Sequence, residues 1–164
     1  HFYVYSQTKE NGEIVYTKCN LNLSNYNIIN NQNQIILTPK INTHTINSIQ
    51  EIKAIKNNFG HSNIISCMID DEILIKNSYR SILMKIYKKI EDGTKIIKNT
   101  TLKCYTVHKE GKNFIENLGI GVNNYNANYS LKEILTQCFL NKIKLNIQIK
   151  LNSGVIENYL VDNN

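Results

Sequence analysis

Apolar and polar positions along the chain change period repeatedly, from steps of two to steps of three and four and back, which predicts short strands interleaved with a few helices. Phe2 to Ser6 and Ile14 to Leu21 flank Asn11-Gly12, a dipeptide suited to the positive φ angles of a hairpin turn. A two-residue turn there would oppose Glu10 and Glu13, two like charges, so a wider loop is expected. From Asn20 to Gln34 the chain turns Asn-rich, with Leu, Tyr and Ile at no regular spacing, and reads as a long surface loop. Ile35 to Thr38 is a short apolar run stopped by Pro39. Ile46, Ile49, Ile52 and Ile55 then recur at helical spacing, between a start at Thr45 and a glycine stop at Gly60.

Asn63 to Ile69 and Glu72 to Lys76 read as two strands around Asp70-Asp71. Tyr79, Ile82, Leu83, Ile86, Tyr87 and Ile90 form one apolar stripe of a helix from Ser78 to Asp92, with Lys85, Lys88 and Lys89 on its opposite side. Thr101 to His108 and Asn113 to Gly121 read as a hairpin around Glu110-Gly111. Ser130 and Glu133 supply a capping box for a third helix carrying Leu131, Ile134, Leu135 and Cys138. Ile143, Leu145, Ile147, Ile149 and Leu151 alternate with Lys144, Asn146, Gln148 and Lys150, a strand with one buried and one wet face. Asn152-Ser153-Gly154 turns it back through Val155 to Val161. The expected fold is therefore α+β: an antiparallel or mixed sheet of several hairpins with about three helices packed on one face. At 164 residues the chain is long enough to bury one core without disulfides or metals, so a single domain over 1–164 is expected. The Tyr3-Val4-Tyr5 and Tyr105-Thr106-Val107 stretches resemble each other, as hairpins built from a restricted alphabet do.

Composition narrows the function classes mainly by exclusion. No run of about 18 apolar residues exists, which rules out a membrane-spanning helix in this sequence. No charged-then-apolar leader pattern follows His1. Cys19, Cys67, Cys104 and Cys138 stand far apart without a Cys-x-x-Cys pair and read as reduced, mostly buried thiols, which points to the cytoplasm or another reducing intracellular compartment. Asn, Ile and Lys make up about four-tenths of the chain, the skew of an AT-rich coding genome, and this weakens any argument from Lys counts or from the sequons at Asn22, Asn99 and Asn128.

Charge is the one property spread unevenly. The net charge is +6, and nearly all the excess lies between Lys76 and Lys112. Lys85, Lys88, Lys89, Lys95, Lys98 and Lys103, with Tyr105 on the same strand face as Lys103, form the candidate nucleic-acid surface, neutralising phosphates while a ring stacks on a base. Arg80 is the single arginine, so such binding would read sequence weakly.

Candidate catalytic and metal groups are sparse. Cys104 and His108 lie four steps apart on an extended strand, roughly 13 Å, too far to share one zinc ion. A Cys nucleophile with His44, His61 or His108 as base is the natural enzyme hypothesis, but no local signature selects a pair. Asp70-Asp71-Glu72 fits a turn better than a Mg²⁺ site, and Gly119-x-Gly121 lacks the third glycine and Lys of a phosphate loop. Tyr125 and Tyr129, in a polar loop, are the best single anchors for a partner. The first expectation is a non-enzymatic protein-interaction module with no cofactor and no metal. A basic nucleic-acid-binding domain is second and a Cys- or carboxylate-dependent enzyme third. An exposed edge strand would give a route to a homodimer.

Overall fold

The computed structural model describes residues 3–8, 14–19, 23–31, 34–56, 58–75, 78–92, 105–106 and 114–162. The chain divides into two compact units, His1–Lys40 and Ile41–Asn164.

In the first unit, β1 (Tyr3–Thr8) pairs antiparallel with β2 (Ile14–Cys19), with Thr8 opposite Ile14; the expected wider loop around Asn11-Gly12 lies outside the described residues. The expected surface loop from Asn20 to Gln34 is corrected. A 3₁₀ turn (Leu23–Asn25) leads into β3 (Tyr26–Asn31), which pairs antiparallel with β4 (Gln34–Pro39). Asn is a poor strand former, so composition alone reads β3 as irregular, whereas its backbone pairs with β4 over the register from Tyr26 opposite Pro39 to Asn31 opposite Gln34. Lys40 N–H then closes the hairpin's base on the Asn25 carbonyl at 2.8 Å.

The second unit is built on a mixed five-stranded sheet. Its strands are β5 (Ile41–Thr45), β6 (Asn63–Ile69), β7 (Glu72–Ile73), β11 (Leu145–Lys150) and β12 (Ile156–Val161), in the order β5-β12-β11-β6-β7. β5 runs parallel to β12, and the other pairings are antiparallel. The alternation of β11 puts Leu145, Ile147 and Ile149 on the buried face, in register with Val161, Tyr159 and Glu157 of β12 and with Ile69 and Cys67 of β6. A bulge between Gln148 and Ile149 leaves Ile65 exposed. The β6–β7 turn has Asp70 and Asp71 at φ 45° and 67°, the two consecutive left-handed residues of a tight hairpin, which Asp tolerates. Gly154, at φ 88°, makes the β11–β12 turn.

Three helices pack against this sheet. α1 (Ile49–Ala54) is shorter than the Ile46–Ile55 stripe predicts and starts at Ser48, whose hydroxyl accepts from Glu51 N–H at 3.2 Å. The expected start at Thr45 fails because Thr45 belongs to β5, paired with Leu160. α2 (Tyr79–Asp92) buries Ile82, Leu83, Ile86, Tyr87 and Ile90, the stripe read from the sequence, and Ser78 and Ser81 cap its start by exchanging N–H to hydroxyl bonds at 2.9 and 3.1 Å. α3 (Ala127–Leu140) begins a turn earlier than expected, capped by Asn126. Ser130 and Glu133 are therefore interior and buried rather than a capping box. Leu131, Ile134, Leu135 and Cys138 fill the space between α3, α2 and the sheet. Between α2 and α3 lies a three-stranded ribbon, β8 (Tyr105–Thr106), β9 (Phe114–Ile115) and β10 (Ile120–Val122), in the order β8-β10-β9. The expected hairpin of 101–108 with 113–121 is thus corrected: β8 and β9 both pair with β10, not with each other, and β9 reaches β10 through a 3₁₀ turn closed by left-handed Gly119.

Candidate functional site

The start of α3 is fixed from two directions. Asn126 accepts from Asn128 N–H at 2.8 Å, and the Asn128 amide oxygen accepts from the N–H of buried Phe59 at 2.7 Å. This leaves Tyr125 and Tyr129, four residues apart across the first turn, on the outside: 38% and 44% exposed, their ring centroids 5.5 Å apart and tilted by 58°. The two predicted anchors thus form one aromatic surface on a rigid base.

The lysine face is differently disposed. Lys85 Nζ lies 2.8 Å from Glu72 Oε1, and Lys89 Nζ lies 3.1 Å from Asp70 Oδ2. Asp70 also accepts from Lys144 N–H at 2.8 Å, so the acidic turn ties β6, β7 and β11 to α2. Two of the three helix lysines are engaged with their own chain's carboxylates, and of the three Lys88 alone is exposed while Lys85 and Lys89 are half-buried. Lys95, Lys98 and Lys103, like Cys104 and His108, lie outside the described residues; Tyr105 sits in β8 opposite Val122.

The thiol hypothesis meets burial. Cys67 and Cys138 are free and buried; burial pushes the Cys67 thiol from 9.0 up to about 12 and raises Cys138 well above its ordinary value, with neighbouring Cys67 and Asp70 adding to it. Both are protonated at neutral pH and poor nucleophiles. His44, Tyr159, Ile147 and Cys67 occupy one row across four strands, which separates the imidazole from the thiol by about 14 Å. Among the described residues no three His, Cys, Asp or Glu side chains are grouped to hold a metal. Gly119 is a 3₁₀ C-cap and Gly121 lies in β10, an arrangement without a phosphate cradle.

No protein-family model matches the chain, and neither a curated protein nor a solved structure matches it. No helix of the described residues is long and apolar enough to cross a membrane.

One constellation escapes sequence reasoning. Glu157 is 4% exposed on the buried face of β12, where His44 Nε2 lies 2.6 Å from its Oε2 and Asn42 Nδ2 donates to its Oε1 at 3.0 Å. The His44 ring stacks on Tyr159 at 4.9 Å with a 19° interplanar angle, and Phe59 meets the Tyr159 ring edge-on at 6.0 Å. His44 and Glu157 are 113 residues apart, so only the parallel β5–β12 pairing unites them. The signal available in the sequence is an acid on the buried register of a strand, Glu157 in step with Tyr159 and Val161.

Proposed function

We propose that this chain is a non-enzymatic protein-interaction module that engages its partner through the Tyr125–Tyr129 surface. The observation that carries the reading is the pairing of these two exposed rings on a helix start held by the Asn126 and Asn128 hydrogen bonds. Rigid aromatic side chains supply contact area at low entropic cost and dominate binding hot spots. Gly121 to Tyr129 carries no charged side chain, so the surface favours a partner segment that offers aromatic or proline side chains for stacking over one that offers ions. Buried, unpaired Cys67 and Cys138 support a reducing intracellular compartment. Edge strand β5, exposed at all five positions, supports pairing of two copies as the route to a homodimer.

The competing reading is a weakly sequence-specific nucleic-acid binder using Lys76–Lys112. Pairing of Lys85 and Lys89 with Glu72 and Asp70 weighs against it, because those charges are already partly compensated. Affinity capture with Tyr125→Ala/Tyr129→Ala and with Lys85, Lys88 and Lys89 each changed to Glu separates the two. The tyrosine variant is expected to lose the captured protein while the lysine variant keeps it. The reverse pattern, with salt-sensitive retention on a polyanion column lost in the lysine variant, would replace this reading with the nucleic-acid one.

A further inference from the structure

A second site lies in the unit 41–164, independent of the tyrosine surface. An open cleft of about 370 Å³ runs between the end of β5 and the C-terminal end of α1, walled by His44, Glu51, Ala54, Ile55, Lys56 and Tyr159 among others. That volume is within the range of small-molecule sites.

The wall groups are held in unequal ways. His44 is fixed on two sides: its Nε2 edge is bound to buried Glu157, and one ring face lies on Tyr159. Its side chain is nevertheless 43% exposed and lines the cleft. An imidazole whose orientation is set by a buried carboxylate is preorganised, so a ligand meeting it forfeits little side-chain entropy. Glu51 is already employed: its carboxylate accepts from Asn47 N–H at 2.7 Å and its own N–H donates to Ser48, both as part of the α1 cap. Lys56 has no hydrogen-bond or ion-pair partner among the described residues and is the cleft's available cation. Ala54 and Ile55 supply the apolar part of the wall.

We propose that this cleft binds a small ligand composed of a planar aromatic ring and a phosphate, the ring extending the Phe59–Tyr159–His44 series by stacking on His44 and the phosphate meeting Lys56. Stacking on a fixed ring and a charge-assisted contact act at opposite ends of such a ligand, so neither half alone uses both. Glu157 is a positioning residue: it touches His44 and no ligand.

Phenyl phosphate is the probe, with inorganic phosphate and phenol as its two halves, each titrated into the full chain while the backbone amide resonances of the cleft residues Thr45, Ile55 and residue 56 are followed by NMR. Phenyl phosphate is expected to shift them saturably, with affinity about tenfold or more above either half. His44→Ala should cut phenyl phosphate affinity about tenfold and leave inorganic phosphate affinity unchanged, while Lys56→Glu should abolish both. Lys56 is exposed, so that variant tests the site without disturbing the core. Absence of a saturable shift at millimolar phenyl phosphate overturns the proposal. So does inorganic phosphate binding as tightly as phenyl phosphate, or binding that survives Lys56→Glu. Tyr125→Ala leaves phenyl phosphate binding intact, so failure here is separate from failure of the tyrosine surface.

Discussion

Replacing Lys142 by glycine should make the protein more stable. α3 ends in a Schellman motif, with Ile143 N–H donating to the Cys138 carbonyl at 2.9 Å and Lys142 N–H to the Phe139 carbonyl at 3.4 Å. The motif requires a left-handed residue after the C-cap, and here that residue is Lys142 at φ 53°. A side chain in that region costs about 1–2 kcal/mol through the Cβ–carbonyl clash, whereas the added freedom of glycine in the unfolded chain takes back about 0.5–1 kcal/mol. Lys142 is exposed, so deleting its side chain removes little packing. The balance for Lys142→Gly is a gain of about 0.5–1 kcal/mol, equivalent to about 1–4 °C in Tm. Urea unfolding followed by far-UV circular dichroism measures it as a rise in midpoint at constant slope. Lys142→Ala keeps the Cβ and should show no such gain. A lower midpoint for the glycine variant, or an equal rise for alanine, would refute the assignment of backbone strain to this position.

Three further outcomes follow from buried Tyr87, Glu133, Cys67 and Cys138. Tyr87 and Glu133 are both buried, and the Tyr87 hydroxyl donates to Glu133 Oε1 at 2.8 Å, so Tyr87→Phe should lower stability by about 1.5–3 kcal/mol in the same urea titration. The raised thiol of Cys67 sets an alkaline limit: below pH 9.0 it is neutral folded or unfolded, whereas between 9.0 and about 12 only the unfolded chain ionises, so its contribution to stability is lost as pH rises through that window. Cys67→Ala should flatten the decline above pH 9, and in the native protein at neutral pH both Cys67 and Cys138 should resist alkylation until urea unfolds the chain.

The parts of the fold legible in the sequence are those where one face is buried and local pattern coincides with tertiary demand. The α2 stripe, the alternation of β11 and the acidic β6–β7 turn are of this kind. Elements whose stability comes from a partner distant in sequence are not. β5, whose five positions are all exposed, carries no burial pattern and exists through its parallel pairing with β12. β8 and β9 each read as half of a hairpin, but the intervening β10 takes both partners. Capping signals cut both ways. Ser48-x-x-Glu51 marks the true start of α1, while Ser130-x-x-Glu133 has the same form and lies inside α3, because Asn126 captures the helix start first. At the candidate sites, Tyr125 and Tyr129 are legible as aromatic residues in an otherwise polar stretch, whereas the start of α3 at Ala127, which brings their rings together, is not. The Lys85 and Lys89 pairs depend on where the β6–β7 turn meets α2, which charge counting does not reveal.

Photo-crosslinking from position 125 tests the central claim most directly. With a photoreactive phenylalanine analogue at Tyr125 or at exposed Lys88, the account predicts a discrete protein adduct from position 125 and none from position 88. Adducts to nucleic acid from position 88, with none from 125, would contradict it.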